Sequence, residues 1–341
     1  MAKKKALITG INGQDGSYLT ELLLEKDYEV GGIIRRTSKP NLTKIEHLLD
    51  KIKIYDGDLL DQGSIDRSIL DFNPDEVYNL AAQSFVKTSW NQPILTGDVT
   101  GMGAVRVLEA IRNHKPDAKF YQASSSEMFG NTTDEFISEE SPFMATSPYA
   151  IAKLYAHYMT QNYRDSYDLY ACGGILFNHE SPRRGIEFVT RKITYAVACV
   201  SQGVEQSKMG NELKEPLIQN GKFKLGFLGS SRDWGYAGDY VEAMWLMLQQ
   251  DEPDDFVIAT GRSATIEEFL EIAFDCVGID NWKKYVGTDE RFKRPSELKH
   301  LRGDASKAKK KLGWEPETSL EELVEMMIRS DVELVKKFEL N

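Results

Sequence analysis

The sequence predicts an α/β protein, a doubly wound parallel sheet joined to a smaller, mostly C-terminal α/β part. Three observations predict it. Short β-type runs alternate with helix-period stretches as far as residue 180, the pattern of βαβ units with right-handed crossovers. A glycine-rich turn separates the first strand from the first helix. The composition, 41% hydrophobic and 28% charged over 341 residues, is that of an ordinary globular chain with room for about two domains.

Lys5–Thr9 reads as the first strand, Gly10–Gly16 as the turn and Ser17–Lys26 as the first helix. Tyr28–Arg35, Ile52–Tyr55, Glu76–Leu80, Lys119–Ala123 and Ala171–Phe177 read as further strands. Leu42–Asp50, Gln62–Phe72, Met102–Asn113 and Pro148–Tyr167 carry helical spacing between them. Beyond residue 180 the alternation loosens. Glu187–Ser201, Asp239–Gln250, Thr265–Val277 and Leu320–Lys337 read as helices, and Phe256–Ala259 as a strand able to return to the sheet. Leu320, Leu323, Val324 and Met327 share one helix face, a stripe for core packing. Gly203–Leu225 is polar and rich in Gly, Lys and Glu. Residues 1–180 with about 235–262 are expected to form the dinucleotide-binding domain, and 181–234 with 263–341 the second domain.

The charge balance is 42 − 53 = −11, which repels phosphate backbones and argues against nucleic-acid binding. No apolar run approaches the ~18 residues of a membrane span. Cys172, Cys199 and Cys276 form no C-x-x-C pair, and with the scattered histidines they offer no metal-ligand spacing. They read as reduced buried thiols, favouring the cytoplasm. Met1–Lys5 imitates the basic start of a signal peptide, but only Ala6-Leu7-Ile8 follow before polar residues.

Gly10-Ile11-Asn12-Gly13-Gln14-Asp15-Gly16 is a G-x-x-G-x-x-G between strand and helix. Glycines permit the tight turn and let a pyrophosphate approach the backbone, while the helix start offers N–H groups and a positive dipole end. In this context the motif predicts a Rossmann-like dinucleotide site. The second strand ends in Arg35-Arg36 rather than the carboxylate that holds the ribose hydroxyl of NAD. Guanidinium forks attract a 2′-phosphate, so the expected cofactor is NADP. Asp58-Leu59 follows the third strand, where Asp58 either reaches the adenine amino group or caps the next helix.

Tyr149 and Lys153 stand i, i+4 at the start of a helix. A tyrosine pKa is about 10, and an ammonium one turn away is expected to lower it by stabilising the phenolate. Such pairs are common on helix surfaces; this one gains weight by following the fifth strand of a nucleotide-binding sheet. That strand leads into Ser124-Ser125-Ser126-Glu127. A hydroxyl there can bond a substrate oxygen, and Glu127 brings a carboxylate to the same crevice. The alternative is that the serines cap a turn and Glu127 faces water.

With these residues in view the chain resembles the extended short-chain dehydrogenase/reductase family, and within it the GDP-mannose 4,6-dehydratase group. The resemblance spans nearly the whole chain. Its most specific segments are Gly13-Gln14-Asp15-Gly16-Ser17-Tyr18-Leu19 and Asn178-His179-Glu180-Ser181-Pro182-Arg183-Arg184-Gly185. Pro74–Leu80, Phe120–Gly130, Ser147–Ala150, Phe188–Lys192, Arg232–Gly235 and Lys311–Trp314 support it. It implies an NADP-dependent loss of water from a GDP-sugar, with Ser125, Glu127, Tyr149 and Lys153 catalytic. It implies cofactor contacts from Gly10, Gly13, Gln14, Asp15, Gly16, Arg35, Arg36, Asp58, Leu59 and Leu80. Tyr149, Lys153, His179 and Arg184 are implied cofactor contacts too, though a structural hydrogen bond suits His179 equally. Asn178, Lys192, Arg232 and Arg294 are the implied substrate contacts, and a homo-tetramer the implied assembly.

Two departures stand out. Ser125 replaces the threonine usual in the group, which keeps the hydroxyl. The connection between Gly203 and Phe227 is longer than in the group and lies just before Arg232, so a GDP-manno-heptose is a rival substrate. An epimerase or reductase is less favoured because it leaves Glu127 without a task. A non-catalytic NADP(H)-binding regulator is disfavoured because Tyr149, Lys153, Ser125 and Glu127 are all present.

Overall fold

The computed structural model describes residues 3–292 and 301–340. The first half runs β1 (Lys5–Thr9), α1 (Gln14–Glu25), β2 (Glu29–Ile34), β3 (Ile52–Asp56), α2 (Gln62–Phe72) and β4 (Glu76–Asn79). Then come α3 (Val86–Asn91), α4 (Pro93–Thr96), α5 (Gly103–His114), β5 (Lys119–Ser125), α6 (Pro148–Tyr167) and β6 (Ala171–Leu176). β7 (Asn178–Glu180), α7 (Val189–Ser201), β8 (Phe223–Leu225), β9 (Ser231–Tyr236), α8 (Ala237–Leu248) and β10 (Phe256–Ile258) follow. β11 (Ser263–Thr265), α9 (Ile266–Asp275), β12 (Val286–Thr288), α10 (Ser306–Leu312) and α11 (Leu320–Phe338) complete the order.

Seven strands form one parallel sheet in the order β10-β6-β5-β4-β1-β2-β3. The 256–259 run does return to it, as β10 beside β6. The direction of winding reverses between β1 and β4, so the C-terminal ends of these strands open a crevice there. One face of the sheet packs on α1 and α8 through Leu19, Leu23, Met244 and Met247. The other packs on α2 and α5 through Ile65, Ile69, Leu108 and Ile111. A separate cluster joins α7, α9 and α11 through Ala196, Phe269, Phe274 and Val324. It lies against two small sheets, β11-β9-β7 and β12-β8.

Local chemistry explains the differences from the pattern reading. α1 begins at Gln14, three residues earlier than expected, so the helix N-terminus lies inside the glycine motif. Residues 42–50 hold only a short 3₁₀ turn at Glu46–Leu48. The Asn41 side chain accepts from the Thr43 N–H, and such local bonds compete with helix formation. Helical backbone extends back to Val86, broken at Pro93 and by a π turn at Gly97–Met102. α6 matches its expected bounds because Ser147 caps it, accepting from the Ala150 N–H, and Pro148 starts it. Among the described residues no helix is long and apolar enough to cross a membrane.

Candidate active site

The glycine turn leaves no room for side chains. Gly10 has φ +71°, and a Cβ there would lie 3.0 Å from the Ala81 backbone. A Cβ on Gly16 would lie 2.4 Å from the Gly10 carbonyl oxygen. No side chain caps α1, whose N-cap is Gly13, so its first N–H groups face a cavity of about 730 Å³. This is a cradle with the geometry and dipole an anion needs, and it fits a dinucleotide.

Gly10, Gly13, Gln14, Asp15 and Gly16 line that cavity. So do Asp58, Leu59, Leu80 and Arg184. Asp58 is not the cap of α2; Asp61 is, accepting from the Gly63 N–H. The two arginines of the second strand part company. Arg35 is on the cavity wall, whereas the Arg36 side chain is 82% exposed and pairs with Asp56 at 3.3 Å. His179 backs the loop, with its Nε2 2.9 Å from Asp15. Burial works against both charges. For Asp15 burial is the largest single influence, but the charge and hydrogen bond of His179, with Gln14 and Arg184, together outweigh it and hold the carboxyl down to about 2. For His179 burial is likewise the largest influence, but the charge and hydrogen bond of Asp15, with the Phe177 carbonyl, together raise its pKa.

β5 and the capped start of α6 bring the four expected catalytic residues together. Ser125 ends β5, and its Oγ accepts from the Glu127 N–H at 3.2 Å. The Ser125 and Tyr149 hydroxyls are hydrogen-bonded. Lys153 lies beneath, its Nζ 5.9 Å from the Tyr149 ring centre and donating to the Ala123 carbonyl at 2.6 Å. The expected lowering of the Tyr149 pKa is not found. Burial pushes the phenol up to about 12, the Ser125 bond opposes this and the Glu127 charge adds to it. The lysine ammonium is aimed at a carbonyl and is itself pulled down to about 8 by burial.

A second cleft adjoins the first, and Arg184, Glu187 and Phe188 line both. Asn178, Lys192 and Arg232 line this one. β7 supplies Asn178, α7 supplies Lys192 and β9 supplies Arg232, so three expected substrate contacts from distant segments converge. Arg294 lies outside the described residues. Arg191, also in a matching segment, is instead held against Asp331 at 2.6 Å between α7 and α11.

Sequence reasoning missed several residues here. Lys44 is a half-buried cation on the first cavity's wall, its pKa pulled down by burial against the pull of Glu187. Ser84 lines the same cavity. Glu212 enters the second cleft from the polar stretch and binds Lys192 at 2.7 Å. No local pattern marks any of them. Among the described residues no group of three or more His, Cys, Asp or Glu could hold a metal.

A family model described as GDP-mannose 4,6 dehydratase matches residues 7–327. GDP-mannose 4,6 dehydratase 1 of Arabidopsis thaliana is 52% identical, the match covering 98% of this chain and 91% of the relative. The GDP-mannose 4,6 dehydratase of Homo sapiens is 45% identical, covering 97% and 92%. In fold the chain is similar to a dTDP-glucose 4,6-dehydratase of Streptomyces venezuelae solved with NAD, at TM-score 0.84 and 21% identity. That match covers 98% of this chain and 99% of the solved one. A UDP-glucose 4-epimerase of Thermotoga maritima aligns at TM-score 0.82 and 24% identity, covering 97% and 99%.

Proposed function

The chain belongs to the GDP-mannose 4,6-dehydratase family, and from that premise we propose that it converts GDP-mannose to GDP-4-keto-6-deoxymannose with NADP. The observation that carries the reading is Glu127 set beside the hydrogen-bonded Ser125–Tyr149 pair, where its charge is felt by the phenol. Epimerisation at C4 needs no such second base; dehydration does.

A nicotinamide held in the first cavity would supply positive charge, a hydride acceptor for C4 and a hydride donor for C6. Tyr149 Oη takes the proton of the 4-hydroxyl, passing through the Ser125 hydrogen bond that favours its ionised form. Ser125 Oγ then orients the 4-keto oxygen, which acidifies the proton on C5. Glu127 removes that proton and delivers one to the departing 6-hydroxyl, which leaves as water. A proton equal to the one Tyr149 took is delivered to C5, so that phenolate and carboxylate are both restored and the turnover is complete. Lys153, tied to Ala123, holds the ribose and adds its charge beneath the phenol ring. Arg35 faces the 2′-phosphate, and Arg232 and Lys192 face the nucleoside diphosphate.

The reading keeps 1–180 with about 235–262 for the cofactor and 181–234 with 263–341 for the sugar nucleotide, supported by a separate hydrophobic cluster around α7, α9 and α11, although Ala308, Leu312 and Trp314 pack into the cofactor part's cluster. It also keeps a homo-tetramer, supported by Ile151, Tyr155 and Tyr158 exposed along α6, and a cytoplasmic site. Mass spectrometry of GDP-mannose incubated with the protein and NADP+ tests the activity. Loss of one water is expected; an unchanged mass sinks the reading.

A further inference from the structure

We infer that Glu212, carried into the second cleft by the polar segment between α7 and β8, reads the base of the sugar nucleotide and makes guanine the base accepted. The inference rests on the GDP-sugar reading above and concerns a residue on the segment where this chain departs from the family's shorter connection.

The segment is held in place. Antiparallel bridges join Gln206 to Gln219 and Gly210 to Pro216. Glu339, at the end of α11, accepts from the Met209 N–H at 3.0 Å and from the Tyr195 hydroxyl at 2.8 Å. Glu215 grips Arg291 at 2.8 Å. Between these anchors the Asn211 side chain accepts from the Leu213 N–H at 2.9 Å, turning the chain so that Glu212 reaches the cleft. Its position is therefore built by contacts on both sides rather than by an exposed tip.

The chemistry at the end of that side chain is specific. Lys192 Nζ lies 2.8 Å from Oε1 and 2.7 Å from Oε2 of Glu212. Among the described residues Lys192 is the one close donor to either oxygen, and a carboxylate oxygen can accept a second. Guanine presents N1–H and the 2-amino group side by side, with O6 next to N1. A carboxylate satisfies the first two and an adjacent ammonium the third. Adenine would turn the N1 lone pair toward the carboxylate. Uracil offers one donor between two acceptors, and hypoxanthine lacks the amino group. Phe227 and Phe292 line the same cleft, and aromatic faces suit a flat base. Arg232, on the same wall, lies where a diphosphate attached to that base would need a cation.

A site whose buried polar groups are made to bond a ligand rejects the analogue that lacks the partner. The test is kcat/KM of the full chain for GDP-mannose and IDP-mannose, with equilibrium binding of GDP and IDP alongside. The parent protein should prefer the guanine form about 10- to 100-fold, the worth of a bond to a charged group. Glu212→Gln, which offers one acceptor and one donor, should bring the two within roughly threefold. Glu212→Asp, retaining the carboxylate, should keep the preference. Equal use of both nucleotides by the parent, or the same ratio in parent and Glu212→Gln, overturns the inference and leaves the dehydratase reading standing. Preference for GDP in binding that Glu212→Gln abolishes, without loss of water from either sugar, upholds the inference and sinks the dehydratase reading. If Glu212→Gln fails to fold, Glu212→Ala takes its place: loss of the preference upholds the inference and an unchanged ratio overturns it.

Discussion

Two buried lysines, one beneath the Tyr149 ring and one on the wall of the second cleft, differ in what partners their charge. Lys153, on α6, has a carbonyl for a partner, and among the described residues no carboxylate lies within ion-pair distance of it. Burial pulls its pKa down to about 8, opposed only by the more distant charge of Asp15. Lys192, on α7, is as deeply buried but has Glu212 at 2.7 Å. Burial lowers its pKa as well, while the Glu212 charge and hydrogen bond hold it up. A buried ammonium without a counterion is costly to charge, and that suits a group whose field is used on a neighbouring phenol. A buried ammonium with a counterion is a rigid recognition pair, which suits a group that sorts ligands.

The largest expected effect lies at the centre of the first region. Tyr149→Phe leaves Ser125 and Lys153 without the hydroxyl they flank and removes the proton acceptor for C4. A loss of about 10³-fold or more in kcat is expected, within the upper range for removing a general base. Stopped-flow absorbance of bound NADP(H) should show no transient reduction; a transient of normal size would take the base role from Tyr149.

The lysines themselves should respond in opposite directions. A folded-state pKa near 8 against 10.5 for the free side chain means the unfolded chain binds more protons between these values. Stability therefore rises with pH across that window, and at pH 7 the buried charge costs about 3 kcal/mol at most. Lys153→Met should remove that cost, less about 1 kcal/mol for the lost bond to Ala123. Urea unfolding should show the variant more stable than the parent at pH 7, by an amount that shrinks as pH rises through 8 to 10.5. Lys192→Met strands a mostly buried carboxylate and should destabilise by about 1–3 kcal/mol. The same sign for both variants at pH 7 would erase the distinction.

How much of this was legible beforehand follows from where the information lies along the chain. Gly10–Gly16 announces itself because its need for glycine comes from contacts within a few residues and from Ala81 just across the turn. The Tyr149–Lys153 pair was legible for the same reason: one helix turn sets its spacing. Lys192 and Glu212 stand 20 residues apart, joined through a hairpin that Glu339 and Arg291 hold from still farther away. No periodicity encodes such a contact. The upward shift of Tyr149 escaped for another reason. Spacing showed its neighbour Lys153 but not its burial, and burial dominates the shift. The break at Pro93 and the π turn at Gly97–Met102 hid the helical run before α5, because both interrupt the 3.6-residue pattern.

The smallest expected effect extends the comparison to the surface, where Arg35 and Arg36 are neighbours in sequence and differ in what holds them. Arg35 lines the dinucleotide cavity together with Lys39 and Lys44. Arg36 reaches into solvent and pairs with Asp56, both side chains more than half exposed; such a pair contributes about 0–1 kcal/mol. If the 2′-phosphate of NADP lies against Arg35, Arg35→Ala should weaken NADP+ about 10-fold through a lost charge-assisted bond. NAD+, lacking that phosphate, should change little. Arg36→Ala should leave both within about twofold, as for an exposed charge screened by solvent. Titration calorimetry with the two cofactors at fixed salt measures all four constants. Equal losses for NADP+ in the two variants would place the phosphate between the arginines rather than on the cavity wall. No loss in either would shift the burden to Lys39 and Lys44, the remaining cations on that wall near the second strand.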